Sequence, residues 1–247
     1  MTTALITGAN KGIGYETARQ LAARGMTVLV GARDADLGRA AVEKLKTEGA
    51  DAHFIQIDVS DEESIAQAVA RIDAEFGSLD VLINNAAITG GLDGNGKPSS
   101  TTLAAMREVF ETNVFGVVAV TNAMLPLLRR AEAARIVNVS SEVSALTYIM
   151  DPDHALWQLT GITYPASKSA LNMVTGMYAK ELWDTPIKVN AANPGYCATD
   201  LNGNSGFRTA EQGAEPSVHL ATLPADGPTG QLWGYLWGED EYGQLAW

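Results

Sequence analysis

Short runs that are apolar at nearly every position, separated by stretches of helical length, constrain this chain more than any other feature. The runs are Ala4–Thr7, Thr27–Ala32, Ala52–Ile57, Leu79–Asn84, Arg135–Ser140, Ile187–Ala192 and Gln231–Trp233. Helical patterns fill the gaps at 12–24, 35–48, 61–76, 103–131, 163–183 and 209–222. Strands such as Val28-Leu29-Val30 and Val81-Leu82-Ile83 show no polar face. They must therefore be covered on both sides, as parallel sheets flanked by helices are. Strand–helix alternation then implies right-handed βαβ crossovers. The predicted fold is α/β: a doubly wound parallel sheet of about seven strands with helices on both faces.

Two stretches break this rhythm. Residues 89–102 are rich in Gly, Ser, Asn and Pro and read as a loop. Residues 143–162 lie between a strand and a helix, and they mix apolar and polar types around Pro152, Trp157 and Gly161. Long irregular segments inside compact domains are more often functional than idle. No linker, repeat or low-complexity block appears, so 1–247 is expected to form a single domain.

Composition excludes several roles. The formal net charge is −12, from 17 basic and 29 acidic residues, which repels nucleic-acid phosphates and anionic membranes. Arg129, Arg130 and Arg135 cluster, but they read as a solvated helix end. No stretch reaches the roughly 18 apolar residues of a membrane span. The first residues lack a basic n-region, and the one cysteine, Cys197, allows no intrachain disulfide. A cytoplasmic protein with neither nucleic-acid nor membrane partner is expected. His53, His154 and His219 are scattered without ligand spacing, so no metal site is expected.

Directly after the first strand stands Thr7-Gly8-Ala9-Asn10-Lys11-Gly12-Ile13-Gly14, leading into a helix. Glycines there permit a tight turn and close approach of backbone to a pyrophosphate, and the helix N-terminus offers free N–H groups. This is the arrangement of a Rossmann-type dinucleotide-binding domain. Selectivity for NAD rests on an acid at the tip of the second strand. Here the strand ends Val30-Gly31-Ala32-Arg33. A guanidinium at that corner grips a 2′-phosphate through charge-assisted bonds, and Lys11 would add a second positive charge. The alternative is that Asp34 simply pairs with Arg33. The balance favours NADP(H).

At this point the chain resembles the short-chain dehydrogenase/reductase family along nearly its whole length. The motifs arrive in family order: Thr7…Gly12-Ile13-Gly14, Asp58-Val59, Asn84-Asn85-Ala86-Ala87, Asn113, Val139-Ser140-Ser141, Tyr164…Lys168, and Pro194-Gly195 followed by Thr199. The resemblance implies that Asp58 contacts adenine with Val59 beside it. It also implies that Asn85 and Ala86 line the adenosine side, and that Thr199 and the backbone near Pro194 hold the carboxamide. Within the family the chain is most similar to the carbonyl reductases. The lysine inside the glycine turn, the Ala32-Arg33-Asp34 corner and the late run from Gly213 to Gly230 carry that likeness. Two departures stand out. Ala87 replaces a frequent glycine, and Ser141 lies 23 positions before Tyr164, well beyond the common spacing. The extra residues fall near the active-site mouth, where they bear on the substrate and on the family's tetrameric interface; monomer or homo-oligomer stays undecided.

Tyr164 and Lys168, four apart, share one face of a helix. Pro165 fits only if that helix begins here. A nearby ammonium and the oxidised nicotinamide would both favour phenolate and pull the phenol down from its usual value near 10. The resemblance assigns Ser141 and Tyr164 to the substrate carbonyl oxygen, Tyr164 as general acid, Lys168 to the phenol and the nicotinamide ribose, and Asn113 to an ordered water. The expected activity is NADPH-dependent reduction of ketones or aldehydes. Two alternatives are a 3-oxoacyl thioester reductase and an inactive NADP-binding regulator. Acidic carrier proteins call for a basic docking rim, which this acidic chain lacks, and intact Asn113, Ser141, Tyr164 and Lys168 argue against lost turnover. Tyr148, Ile149, Met150, Trp157, Tyr196, Leu201 and Phe207 are candidate pocket walls, with Ser141, Tyr148, Trp157, Tyr164 and Tyr196 foremost. An apolar wall suits a small hydrophobic carbonyl substrate. Cys197 is read as a packing residue, because no histidine or acid is placed to activate it.

Overall fold

A computed structural model of the protein describes residues 2–90, 96–240 and 242–247. Eight strands form one sheet in the order β3-β2-β1-β4-β5-β6-β7-β8. They are β1 Thr3–Thr7, β2 Thr27–Ala32, β3 Ala52–Gln56, β4 Val81–Asn84, β5 Arg135–Val139, β6 Lys188–Asn193, β7 Leu232–Tyr235 and β8 Tyr242–Leu245. The first seven are parallel, as their patterning predicts; β8 runs antiparallel to β7. The edge strand was not anticipated. It is short and only partly buried, so it lacks the apolar run that marks the others.

The continuous apolar runs serve two cores. In β1, Ala4 and Ile6 face one core while Leu5 faces the other. The first core is covered by α1 (Gly12–Ala22), α2 (Ala35–Thr47) and α8 (Ala210–Ala221) through Leu21, Leu45 and Val218. The second is covered by α3 (Glu62–Phe76), α5 (Gly116–Leu128) and α7 (Thr163–Glu181) through Ile72, Met124 and Leu182, which follows α7 directly. Alternating side chains on a pleated strand reach opposite faces, so both must be apolar.

Three expectations need correcting. The helix read across 103–131 is divided into α4 (Leu103–Phe110), one π turn at Glu111–Phe115, and α5. Asn113 lies in the π turn, where the wider ring turns its side chain inward; such bulges recur at functional sites. The run Leu103–Leu128 is also long and apolar enough to cross a membrane by composition, but half of its most apolar window is buried within the protein. Arg135, grouped above with two exposed arginines, is buried at the start of β5 and donates to the Leu223 carbonyl at 2.6 and 3.0 Å. The segment between Ser141 and Tyr164 carries 3₁₀ turns at Glu142–Ser144 and Ala155–Gln158 and a single helical turn, α6 (Leu146–Ile149). Part of the 89–102 loop, at 91–95, lies outside the described residues; 98–100 form a 3₁₀ turn.

Candidate active site

The strand order reverses between β1 and β4, and the crevice at their carboxyl ends is where ligands bind in such sheets. A cleft of about 860 Å³ opens there. Gly8, Asn10, Lys11, Gly12, Ile13, Gly14, Arg33, Asp58, Val59, Asn85, Ala86 and Thr199 all line it, as the sequence predicts for a cofactor site. Pro194, Gly195, Tyr164 and Lys168 do not line this part.

The glycine turn is built for close approach. Gly8 and Gly12 have φ of +64° and +58°, a left-handed backbone that residues with a Cβ rarely adopt. A Cβ on Gly14 would sit 2.5 Å from the Asn85 amide and 2.6 Å from the Gly8 carbonyl. Helices α2, α3 and α8 are capped by Asp34, Asp61 and Thr209, whereas no side chain caps α1. Its first-turn N–H groups therefore face the cleft as an anion cradle.

At the tip of β2, Arg33 is exposed. Asp34 does not pair with it; its carboxylate accepts from the Asp36 and Leu37 N–H groups at 3.0 Å. Asp58 is held below the usual carboxylate range, chiefly by the Ser60 hydroxyl at 2.6 Å, with a smaller contribution from Arg33. Lys11 is not the free cation expected. Its ammonium lies 2.8 Å from Asp200, and both side chains are exposed.

On the other side of the crevice, α7 begins at Thr163, so Pro165 occupies the first turn. Tyr164 is half-buried and Lys168 is buried. The Lys168 ammonium nitrogen lies 5.4 Å from the centre of the Tyr164 ring and donates to the Val139 carbonyl at 2.7 Å. Burial pushes Lys168 down to about 7. Burial also pushes the Tyr164 phenol up to about 12, against the opposing hydrogen bond from Ser141. The predicted lowering counted the charge of an oxidised nicotinamide as well, which the chain alone does not supply. Desolvation outweighs the neighbouring amine, because a buried lysine is itself driven toward neutrality.

Asn113 is fully buried. Its amide donates to the Ile88 carbonyl at 2.8 Å and to the Ser167 hydroxyl at 3.0 Å, and accepts from the Ile88 N–H at 2.9 Å. The predicted water ligand thus also clamps the strand-to-loop exit after β4 onto α7.

The predicted substrate residues fall into two groups. Tyr148 stacks on His154 at 5.4 Å, and Trp157 is exposed. Tyr196 belongs to an aromatic cluster in which Trp237 stacks on it at 5.0 Å and Phe207 meets it edge-on at 5.9 Å. Trp237 escaped sequence analysis, since only the β7–β8 hairpin brings it there. Glu142 escaped as well. It is buried next to Ser141, and burial raises its carboxyl to about 7 against the Trp237 backbone N–H and the Arg208 charge. One Glu142 carboxyl oxygen and the Arg208 Nε and Nη2 have no hydrogen-bond partner among the described residues. Cys197 is buried, its thiol raised to about 11 and donating to the Pro194 carbonyl, as fits a packing role.

Comparison with known proteins agrees with this architecture. The short chain dehydrogenase family model matches residues 2–209. A short-chain dehydrogenase of Penicillium roqueforti, anuI, is 40% identical over 94% of this chain and 92% of its own length. Carbonyl reductase [NADPH] 1 of Sus scrofa is 34% identical over 93% of this chain and 90% of its own. The solved structure of salutaridine reductase from Papaver somniferum superposes with a TM-score of 0.81 at 31% identity, covering 95% and 99% of the two chains. The chain belongs to the short-chain dehydrogenase family, and its relatives include carbonyl reductases. It is an oxidoreductase of the nicotinamide-using kind.

Proposed function

We propose that the protein is an NADPH-dependent carbonyl reductase acting on small hydrophobic ketones or aldehydes. The observation that carries this reading is the Ser141–Tyr164–Lys168 constellation: the Ser141 hydroxyl bonds the Tyr164 phenol, and the buried Lys168 amine lies 5.4 Å from the phenol ring centre. The uncapped α1 N-terminus and the left-handed glycines suit a pyrophosphate, so the residues fit a dinucleotide. Gly8, Asn10, Gly12, Ile13 and Gly14 would hold its phosphates. Arg33 and Lys11 would hold the 2′-phosphate, Asp58, Val59, Asn85 and Ala86 the adenosine, and Pro194, Gly195 and Thr199 the carboxamide. Lys168 would hold the ribose.

Bound NADPH supplies a hydride to the carbonyl carbon. The Ser141 and Tyr164 hydroxyls donate hydrogen bonds to the carbonyl oxygen, and each such donor aimed at developing charge is worth roughly 100-fold or more. A phenol pushed up to about 12 is fully protonated at neutral pH, which is the state a general acid needs. Tyr164 protonates the oxygen as it becomes an alkoxide. The proton that Tyr164 gives up is replaced from solvent, and Lys168, near 7, can take it up and pass it on at working pH. Asn113 keeps the Ile88 backbone and α7 in place beside this path.

The test is NADPH oxidation followed against a panel of aryl ketones, diketones and an acyl thioester. Turnover on ketones supports the reading. Turnover confined to the thioester would replace it with a 3-oxoacyl reductase, and tight NADPH binding without turnover on any compound would overturn catalysis altogether.

A further inference from the structure

Three consecutive grips from α7 hold the segment Val139–Ser144 that carries Ser141. Besides the Lys168 bond to Val139, the Ser169 hydroxyl donates to the Ser144 carbonyl at 2.7 Å. The third grip is Asn172. It lies one turn beyond Lys168 and two beyond Tyr164, on the same helical face. The Ser140 hydroxyl donates to Asn172 Oδ1 at 2.6 Å, Asn172 Nδ2 donates to Ser144 Oγ at 2.7 Å, and Ser144 Oγ donates to the Ser141 carbonyl at 2.5 Å. Ser140, Ser144 and Asn172 are all buried, so water cannot readily replace a lost partner.

The direction of every bond follows from counting hydrogens. A carbonyl only accepts, so the single hydroxyl hydrogen of Ser144 belongs to Ser141. The Ser144 oxygen is then left to accept, and the amide NH2 of Asn172 supplies the donor. That orientation turns Oδ1 toward Ser140, which donates. The chain runs one way, from Ser140 through Asn172 and Ser144 to Ser141. Position 172 must accept at one end and donate at the other.

We propose that Asn172 is a positioning residue for carbonyl reduction: through Ser144 it fixes the backbone at Ser141, and so the distance from the Ser141 hydroxyl to the oxygen shared with Tyr164. This rests on the role of Ser141 in the proposed reaction. The Ser144 N–H also donates to the Ser141 carbonyl, at 3.1 Å, so losing the hydroxyl bond loosens the turn without dissolving it. Small misplacements of a catalytic group cost rate steeply.

Asn172→Asp keeps the shape but has no donor. It accepts from Ser140 and from Ser144, drawing the Ser144 hydrogen away from Ser141. The expected result is a fall in kcat of roughly 10-fold with NADPH Kd unchanged. Ser144→Ala removes the same link with little change in volume and is expected to match it; it also serves should the buried aspartate impair folding. Combined, the two substitutions are expected to lose no more than either alone. Wild-type kcat in either single variant, additive losses in the double, or parallel loss of NADPH affinity would overturn the positioning role. Ser141→Ala separates the two levels. Undiminished turnover there would overturn the reading of the site together with this inference, whereas an inactive Ser141→Ala beside a fully active Asn172→Asp would overturn the inference alone.

Discussion

The ammonium of Lys11 meets the carboxylate of Asp200 at 2.8 Å, joining the glycine turn after β1 to the segment after β6 across the cleft. Arg33 has no such partner among the described residues. The two cations proposed for the 2′-phosphate therefore differ: one feels a carboxylate, Asp58, only at longer range, and the other is in direct contact with one.

Arg33→Ala is accordingly expected to weaken NADPH binding by about 10-fold or more and NADH binding hardly at all, since a guanidinium–phosphate contact is charge-assisted. Asp200→Asn is expected to act in the opposite direction, tightening NADPH about 2- to 5-fold at low salt, with the gain fading as salt screens an exposed pair. Cofactor titrations at two ionic strengths read both. Equal losses for the two cofactors in Arg33→Ala would remove Arg33 from the 2′-phosphate site.

Removing the phenol oxygen tests the acid directly. Tyr164→Phe retains the ring and is expected to bind NADPH normally while kcat drops at least about 100-fold. Single-turnover measurements with an aryl ketone distinguish this from slow product release. A variant that still turns over at the parental rate rules out Tyr164 as the proton donor.

Glu142 makes stability depend on pH with a defined sign. Its folded-state value near 7 is above the ordinary 4.5, so the folded protein holds this proton more tightly than the unfolded chain does. The associated stability is complete below about 4.5 and is lost as pH rises toward 7. Glu142→Gln stays uncharged throughout. It is expected to gain on the parent by the order of 2 kcal/mol between pH 4.5 and pH 8. Urea unfolding at the two pH values measures it, and an equal difference at both would mean that the carboxylate is already compensated in the fold.

Trp237 gives a prediction about the substrate. It stacks on Tyr196 and meets Phe207 edge-on at 5.2 Å, completing a three-ring cluster. Trp237→Ala is expected to raise KM for bulky aryl ketones roughly 10-fold while leaving that for a small aliphatic ketone nearly unchanged. Equal KM values for both substrates in variant and parent would place this cluster away from the bound substrate.

Much of the site was legible before any coordinates. The glycine turn, the arginine after β2, and the Tyr164–Lys168 spacing each follow from a local rule: left-handed glycines, a strand tip, a helical repeat. Longer-range features were not. Lys11 and Asp200 are 189 positions apart, and no pattern in either neighbourhood announces the other. The upward shift of Tyr164 in the chain alone was not legible either, because a lysine in a sequence reads as a full charge, whereas a lysine without solvent does not.

The linear chain by itself determined the sheet, its parallel strands and the turn where a dinucleotide fits, since periodicity and backbone freedom are properties of short segments. The tertiary structure alone decided which charges are neutralised, which way the buried phenol and carboxyl shift, and which aromatic joins Tyr196 and Phe207. Those quantities depend on desolvation and on distances between remote residues, and both exist only once the helices have packed against the sheet.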